Sequence, residues 1–237
     1  MIALPKPQQF ITRLGYIQKV SSKVYLKRFD LVEPKEMNFV AGQTVMLHIA
    51  PGVNRSMSIA SPPSEKTSIT VAHDVSPMGP YSQWTVQAKV GDEMKFMGPL
   101  GIFTLNKESK RKKIFVATGT GVAPFRAMLF DYLGGGSVSE IVLYWGLRHE
   151  EDIFWQQEFM ELTQKYPIFH FVLTLSQPQP GWAGLRGRVG DHLFANEKNL
   201  VEDEFYLCGS KEMIYQMKEQ LLAAGVPKEQ IKSELFY

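Results

Sequence analysis

Hydrophobic and polar positions alternate over short spans in the first hundred or so residues and over longer, helical spans after that. Strand-like runs fall at residues 16–20, 24–28, 44–49, 68–72 and 93–96. Breaks at Pro34, Gly42, Pro51-Gly52, Pro62-Pro63, Gly79-Pro80, Gly91 and Gly98-Pro99 separate them. Short strands with regular turn signals predict an all-β sandwich or barrel. Within this half only residues 81–90 have helical spacing. A charged run at 106–113 reads as a linker, after which strand-like runs (114–117, 140–145, 169–175, 204–208, 231–236) alternate with helical ones (123–133, 153–165, 211–224). That alternation predicts parallel strands joined by right-handed crossovers. The expected division is therefore residues 1–108 and 109–237.

Composition narrows the function. The chain has 237 residues, a length that suits two ordinary domains. Hydrophobic residues make up 44% and charged residues 21%, enough apolar side chains for real cores. A net charge of +2 gives no electrostatic case for nucleic acid or a membrane surface. No apolar run reaches the ~18 residues of a membrane span, and the first ten residues lack the basic start and apolar block of a signal peptide. A cytoplasmic protein is expected. The single cysteine, Cys208, rules out an intramolecular disulfide and any four-cysteine cluster or zinc site made by this chain. His48, His73, His149, His170 and His192 are scattered without metal-ligand spacing, so no metal is expected.

The run Thr118-Gly119-Thr120-Gly121-Val122-Ala123-Pro124 carries the most chemistry. It follows an apolar strand and opens a helix. A strand passing through glycines into a helix presents backbone N–H groups at the positive end of the helix dipole, which suits a phosphate. A glycine lets a ligand approach the main chain, and Pro124 fits a first helical turn, where its missing N–H costs nothing. A plain strand-to-helix turn can use two glycines as well.

Further motifs stand in order along the chain: Arg55-Ser56-Met57-Ser58 with its trailing Ser61, the run from Gly98 to Leu105, Cys208-Gly209 with Met213, and Glu234-Leu-Phe236. Together with the glycine turn, the set resembles the ferredoxin–NADP reductase family over nearly the whole length. The resemblance implies an antiparallel Greek-key barrel that binds FAD, followed by a doubly wound α/β domain that binds NADH or NADPH.

It also implies roles. Arg55 matches the arginine that pairs with the flavin pyrophosphate, a job that suits a planar guanidinium. Ser58 matches the serine that faces flavin N5. Met57 stands where the family has a tyrosine stacked on the flavin, so weaker flavin retention is expected. Gly79-Pro80-Tyr81-Ser82 resembles the family's phosphate-binding helix start, and His73 and Val75 stand where backbone passes along the flavin. Gly146 and Arg148 match a strand-end motif at the nucleotide edge, and Ser176 and Gln177 stand where the adenosine ribose is read. Cys208, Gly209 and Met213 match the motif beside nicotinamide C4. Glu234 and Phe236 match the terminal pair in which the aromatic covers the flavin. The implied reaction moves hydride from NAD(P)H to FAD and then electrons to a separate acceptor: a ferredoxin, a flavodoxin or an oxygenase component. Ser58, Cys208 and Glu234 are the expected catalytic group. One competing reading is a reductase that uses free flavin as substrate, favoured by Met57. Another is a non-catalytic flavin- or partner-binding subunit, which the intact nicotinamide-side motifs disfavour. Gln177 after Ser176, where NADP-specific members often have Arg, tilts the expectation to NADH, although Arg186 and Arg188 are close in sequence.

Overall fold

The computed structural model describes residues 4–76, 78–136 and 139–235. Contacts divide the chain into two compact units. One comprises Met1–Leu105 with Ala123–Gly135, and the other Asn106–Val122 with Gly136–Tyr237.

In the first unit, strands β1 (Gln8–Lys19), β2 (Val24–Glu33), β3 (Thr44–Ala50), β4 (Val53–Ser58) and β5 (Ser68–Asp74) precede helix α1 (Pro80–Gln87) and strand β6 (Glu93–Leu100). They form one six-stranded sheet in the order β4-β3-β6-β1-β2-β5. Every pairing is antiparallel. The two edges of this sheet meet. Just past β4, the Ala60 N–H donates to the Thr70 carbonyl at 2.8 Å, and the buried Ser61 hydroxyl accepts from the Thr70 N–H at 3.0 Å. Closure of this kind removes the exposed strand edges that invite aggregation. Alternating positions (Phe10 and Leu14, Val45 and Leu47, Ile69 and Val71, Phe96) fill the interior. The expected helix at 81–90 ends at Gln87: Ala88 is extended, and Asp92 caps the Lys89 N–H as the chain turns into β6.

The second half runs β7 (Lys113–Thr118), a 3-10 turn (Gly119–Val122), α2 (Ala123–Gly134), β8 (Ile141–Leu147), α3 (Gln156–Lys165), β9 (Phe169–Leu175), β10 (Leu185–Arg186), α4 (Val189–Asn196), β11 (Glu204–Gly209), α5 (Lys211–Ala223) and β12 (Ile231–Leu235). Its sheet is six-stranded and parallel throughout, in the order β10-β9-β8-β7-β11-β12. From β7 the chain walks outward through β8 and β9, then returns to the other side of β7 with β11. The strand order reverses between β7 and β11, and open α/β sheets bind ligands at the carboxyl ends of strands flanking such a reversal.

Three features differ from the pattern. Helix α3 starts at Gln156 and not at 153, because Trp155 adopts a left-handed φ of 56° that breaks the run. Strand β10 and helix α4 were not expected: β10 has two residues, and α4 buries only Val189 and Leu193 after a glycine-rich approach. Finally, α2 packs with the barrel strands. Phe125 meets Phe103 edge-on at 5.9 Å, and Arg126 donates to the Ala60 carbonyl at 2.8 Å.

The basic run at 106–113 ends inside the second unit. Lys113 is fully buried, and its Nζ donates to the Ser109 and Arg111 carbonyls at 2.8 Å each. Replacing it with Met leaves those carbonyls without their charged donor. Lys113→Met is expected to cost about 1–3 kcal/mol, read as a lower urea midpoint at unchanged m-value.

Candidate cofactor sites

In the first unit, the start of α1 is the first candidate. Gly79 is its N-cap and makes no side-chain capping bond, while Pro80 opens the first turn. Such a terminus is a ready anion site. Arg55 and Ser56 are exposed on β4. The next two residues turn inward. Met57 is 5% exposed, sits opposite Val45 and belongs to the barrel core, and Ser58 is equally buried opposite Thr44. Met57 therefore contributes to core packing, a role its place in the motif did not suggest. The Val75 N–H is bonded to the Lys23 carbonyl at 2.9 Å.

His73 is buried and belongs to a polar cluster that sequence reading missed. Its Nδ1 lies 3.1 Å from Lys27 Nζ and 3.1 Å from Thr85 Oγ1, and its Nε2 lies 3.4 Å from Ser82 Oγ. Its ring stacks on Tyr81 at 4.2 Å. The Tyr81 hydroxyl is buried with no hydrogen-bond partner among the described residues. Burial, then the charges of Lys27 and Arg55, push the His73 pKa down to about 3. Burial also holds Lys27 well below the ordinary lysine range.

In the second unit, the predicted residues converge on the carboxyl edge of the sheet. Thr118 ends β7 and is aligned with Gly146 on β8, which is aligned with Thr174 on β9. Cys208 is aligned with Ala117 on one side and with Glu234 on the other. Two glycines lock the central turns together. A Cβ on Gly121 would overlap the Cys208 carbonyl and stand 2.6 Å from Gly209 Cα. A Cβ on Gly209 would collide with the Thr118 hydroxyl and backbone, and its φ of 147° also favours glycine. The Thr118 hydroxyl accepts the Ser210 N–H at 2.9 Å, and Ser210 in turn caps α5 at the Met213 N–H. Gly119 differs from both: its φ is +56° and nothing lies within 4 Å of where a Cβ would be. Its carbonyl accepts the Trp145 indole N–H at 2.9 Å, which fixes the turn. Gly119 is thus the open position of the turn, while Gly121 and Gly209 are glycines for internal reasons.

Cys208 is fully buried, and burial with the Glu234 carboxylate raises its thiol pKa well above the usual range, so it stays protonated. Met213 belongs to the buried core of this unit. At the edge beyond β8 and β9, Arg148 is exposed. The Ser176 and Gln177 N–H groups bond to the Leu147 and Arg148 carbonyls at 3.0 and 2.9 Å. Arg186 Nη2 lies 2.9–3.1 Å from the Gln179, Pro180 and Trp182 carbonyls, and Arg188 reaches Gln216. Glu150, in the turn after β8, accepts the Gln179 N–H at 3.0 Å, which sets a carboxylate against that loop. Phe236 lies outside the described residues. Among the described residues no cluster of metal-binding side chains occurs, and no helix is long and apolar enough to cross a membrane.

A closed antiparallel barrel with an anion-ready helix start, followed by a parallel sheet with an open glycine turn at its switch point, defines a flavin- and nicotinamide-nucleotide-binding protein. Comparison with known proteins agrees. Residues 12–105 match the oxidoreductase FAD-binding domain, and residues 115–219 match the oxidoreductase NAD-binding domain. The chain is 30% identical to ferredoxin–NADP reductase B of Sorangium cellulosum (strain So ce56), over 97% of this chain and 98% of that one. It is 31% identical to the reductase component of propane 2-monooxygenase from Rhodococcus jostii (strain RHA1), covering 97% of this chain but 64% of that longer protein. The fold matches the Amycolatopsis cytochrome P450 reductase GcoB with a TM-score of 0.92 at 23% identity, covering 100% of this chain and 72% of that one. It also matches a ferredoxin NADP+ reductase from Neisseria gonorrhoeae solved with bound FAD and NADP, with a TM-score of 0.83 at 19% identity, covering 98% and 100%. The chain belongs to the ferredoxin–NADP reductase family. It is an NAD(P)H-dependent flavin oxidoreductase with an FAD-binding and a nicotinamide-nucleotide-binding domain. The uncapped start of α1 and the unobstructed Gly119 turn fit the phosphates of these two groups.

The glycine assignments separate by stability. Gly121→Ala and Gly209→Ala force backbone apart and should lower the melting temperature by several degrees or prevent folding. Gly119→Ala should cost only the left-handed backbone penalty of about 1–2 kcal/mol. The buried histidine gives a pH effect of defined sign. Its folded pKa is depressed from 6.5 to about 3, so its contribution is complete above pH 6.5 and is lost as the pH falls toward 3. Unfolding free energy should fall by up to about 1.4 kcal/mol per pH unit through this one group. The difference between wild type and His73→Gln, measured by thermal melts from pH 7 to 5, should shrink accordingly.

Proposed function

We propose that this chain is a stand-alone reductase that takes hydride from NADH and delivers electrons to a separate acceptor protein, a ferredoxin or an oxygenase component. The reading is carried by the open Gly119 turn at the switch point, beside the Cys208–Glu234 strand ends. When bound, the nicotinamide supplies hydride and the flavin accepts it and releases electrons one at a time. The protein's part is binding and alignment. Arg55 and the helix start at 79–82 hold the flavin phosphates, and Ser56, Met57, Ser58, His73 and Val75 complete that wall. The turn from Thr118 to Pro124 holds the nicotinamide nucleotide phosphates, with Gly146, Arg148, Ser176 and Gln177 toward the adenosine. Ser58, Cys208 and Glu234 set the reacting geometry, where alignment is worth up to ~7–11 kcal/mol in well-oriented pairs. Cys208, held as a neutral thiol, is a packing and polarising contact and not a nucleophile. Gly209 and Met213 complete the motif around it, and the resemblance gives Phe236 the part of the aromatic partner. The working division is a flavin domain at 1–108 and a nucleotide domain at 109–237, in a cytoplasmic protein.

Two observations support NADH over NADPH. Arg186 Nη2 is held at the carbonyls of its own loop, and the Glu150 carboxylate, from the turn after β8, lies against that loop, where it would oppose a 2′-phosphate. A second reading, in which free flavin is the substrate, is favoured by Met57, which provides core packing where the family stacks a tyrosine.

The test is anaerobic reduction of the purified protein. NADH should bleach a bound flavin with kcat/KM at least about tenfold above that for NADPH, a difference of ~1.4 kcal/mol. Cys208→Ser should slow the bleaching about tenfold and leave flavin affinity unchanged. A colourless protein that turns over only with added flavin would replace the first reading with the second.

A further inference from the structure

Strand β8 is buried along its whole length, and Trp145 within it is fully buried. Aromatic rings cage the indole. Phe154 meets it edge-on at 5.0 Å, Phe159 of α3 edge-on at 6.0 Å, and Phe171 of β9 lies at 6.5 Å. Close packing of this kind fixes the plane of the ring. A tryptophan has one polar atom, and a buried indole N–H needs an acceptor. Here the acceptor is the Gly119 carbonyl at 2.9 Å, in the turn after β7.

The consequence for the turn follows from peptide geometry. The Gly119–Thr120 peptide is planar and trans, so its C=O and its N–H point in opposite directions. With the oxygen drawn to the indole, the Thr120 N–H points away from Trp145. Gly119 has φ +56° and nothing within 4 Å of where a Cβ would be, so its own sterics do not choose between this peptide plane and the flipped one. The flipped plane would turn the carbonyl oxygen, the negative end of the peptide dipole, to the side that the N–H now faces. One hydrogen bond from a caged ring therefore selects between two turns of opposite polarity.

We propose that Trp145 is a positioning residue for the nicotinamide nucleotide: its caged indole N–H holds the Gly119 carbonyl and so aims the Thr120 N–H at the cofactor's diphosphate. This rests on the reading of residues 118–124 as the nucleotide phosphate turn. The diphosphate is common to NADH and NADPH, so the effect does not depend on a 2′-phosphate. Without the bond only a fraction of the molecules present the anion-competent turn, and the dissociation constant rises by the inverse of that fraction.

The test removes one donor. Trp145→3-benzothienylalanine keeps the bicyclic ring and puts sulfur where the N–H was, and Trp145→Phe is the genetically simple counterpart. Anaerobic stopped flow on the full chain saturated with FAD gives a dissociation constant and a limiting rate of flavin reduction for NADH and for NADPH. Both variants should raise the two nucleotide constants about tenfold and by the same factor. The limiting rates and the FAD dissociation constant should change less than twofold. Unchanged nucleotide constants overturn the proposal. So does a loss confined to one nucleotide, or an equal loss of FAD affinity or of limiting rate, which would mark a merely structural role. If Trp145→Phe does not fold, the benzothienyl variant, which preserves the packing, carries the test.

Gly119→Asp tests the turn by itself. Asp tolerates a positive φ, and its carboxylate opposes a phosphate, so both nucleotide constants should rise at least about tenfold. A rise in Gly119→Asp without one in the Trp145 variants overturns the role of Trp145 and leaves the phosphate turn standing. A rise in the Trp145 variants without one in Gly119→Asp overturns the phosphate turn and the proposal with it. No rise in any variant overturns both.

Discussion

The second unit depends on a contact between two pieces of backbone. The turn after β7 and the end of β11 approach until neither tolerates a side chain: Gly121 lies against the Cys208 carbonyl and Gly209 against Thr118. A hydroxyl clip from Thr118 to the Ser210 N–H fastens the pair. This closeness holds the Gly119 turn beside the strand end that carries Cys208, with Glu234 on the next strand. A change that wedges the turns apart displaces the Gly119 turn from Cys208.

The first unit meets its constraint differently. Its barrel closes through side-chain and backbone bonds at Ala60, Ser61 and Thr70, and a polar cluster is buried beneath α1. There the ring stack of His73, Tyr81 and Trp84 lies under a buried lysine. Lys27, His73, Thr85 and Ser82 are joined by hydrogen bonds there, while the Tyr81 hydroxyl has none among the described residues.

Much of this was legible in the chain. Period-two alternation marks the barrel strands, the switch to helical spacing marks the second half, and Thr118 to Pro124 announces the turn by composition alone. The glycines were legible as glycines but not by cause, since only the fold distinguishes Gly119, with room where a Cβ would be, from Gly121, pressed on a neighbouring strand. Met57 stood in a ligand motif, yet its register opposite Val45 turns it into the core. Lys27 was hidden because a lysine next to an arginine reads as a solvated face. Its period-two neighbour Phe29 stacks on Trp84, so α1 covers that side of β2 and buries the amine. Helix α4 and strand β10 were too short to leave a periodic signal.

The chain passes between its two units after Leu105, after Val122 and after Gly135. Helix α2 is therefore encoded in the middle of the nucleotide-binding sequence while its contacts lie with the barrel: Met128 reaches the empty side of Gly42, and Arg126 holds the Ala60 carbonyl. Recombination between related reductases at a single crossover near the linker would give the barrel a foreign α2. For this architecture, inheritance by clean domain exchange demands that the residues around Gly42, Ala60 and Phe103 travel with the helix that touches them. The set of residues that packs around the barrel is thus discontinuous along the chain.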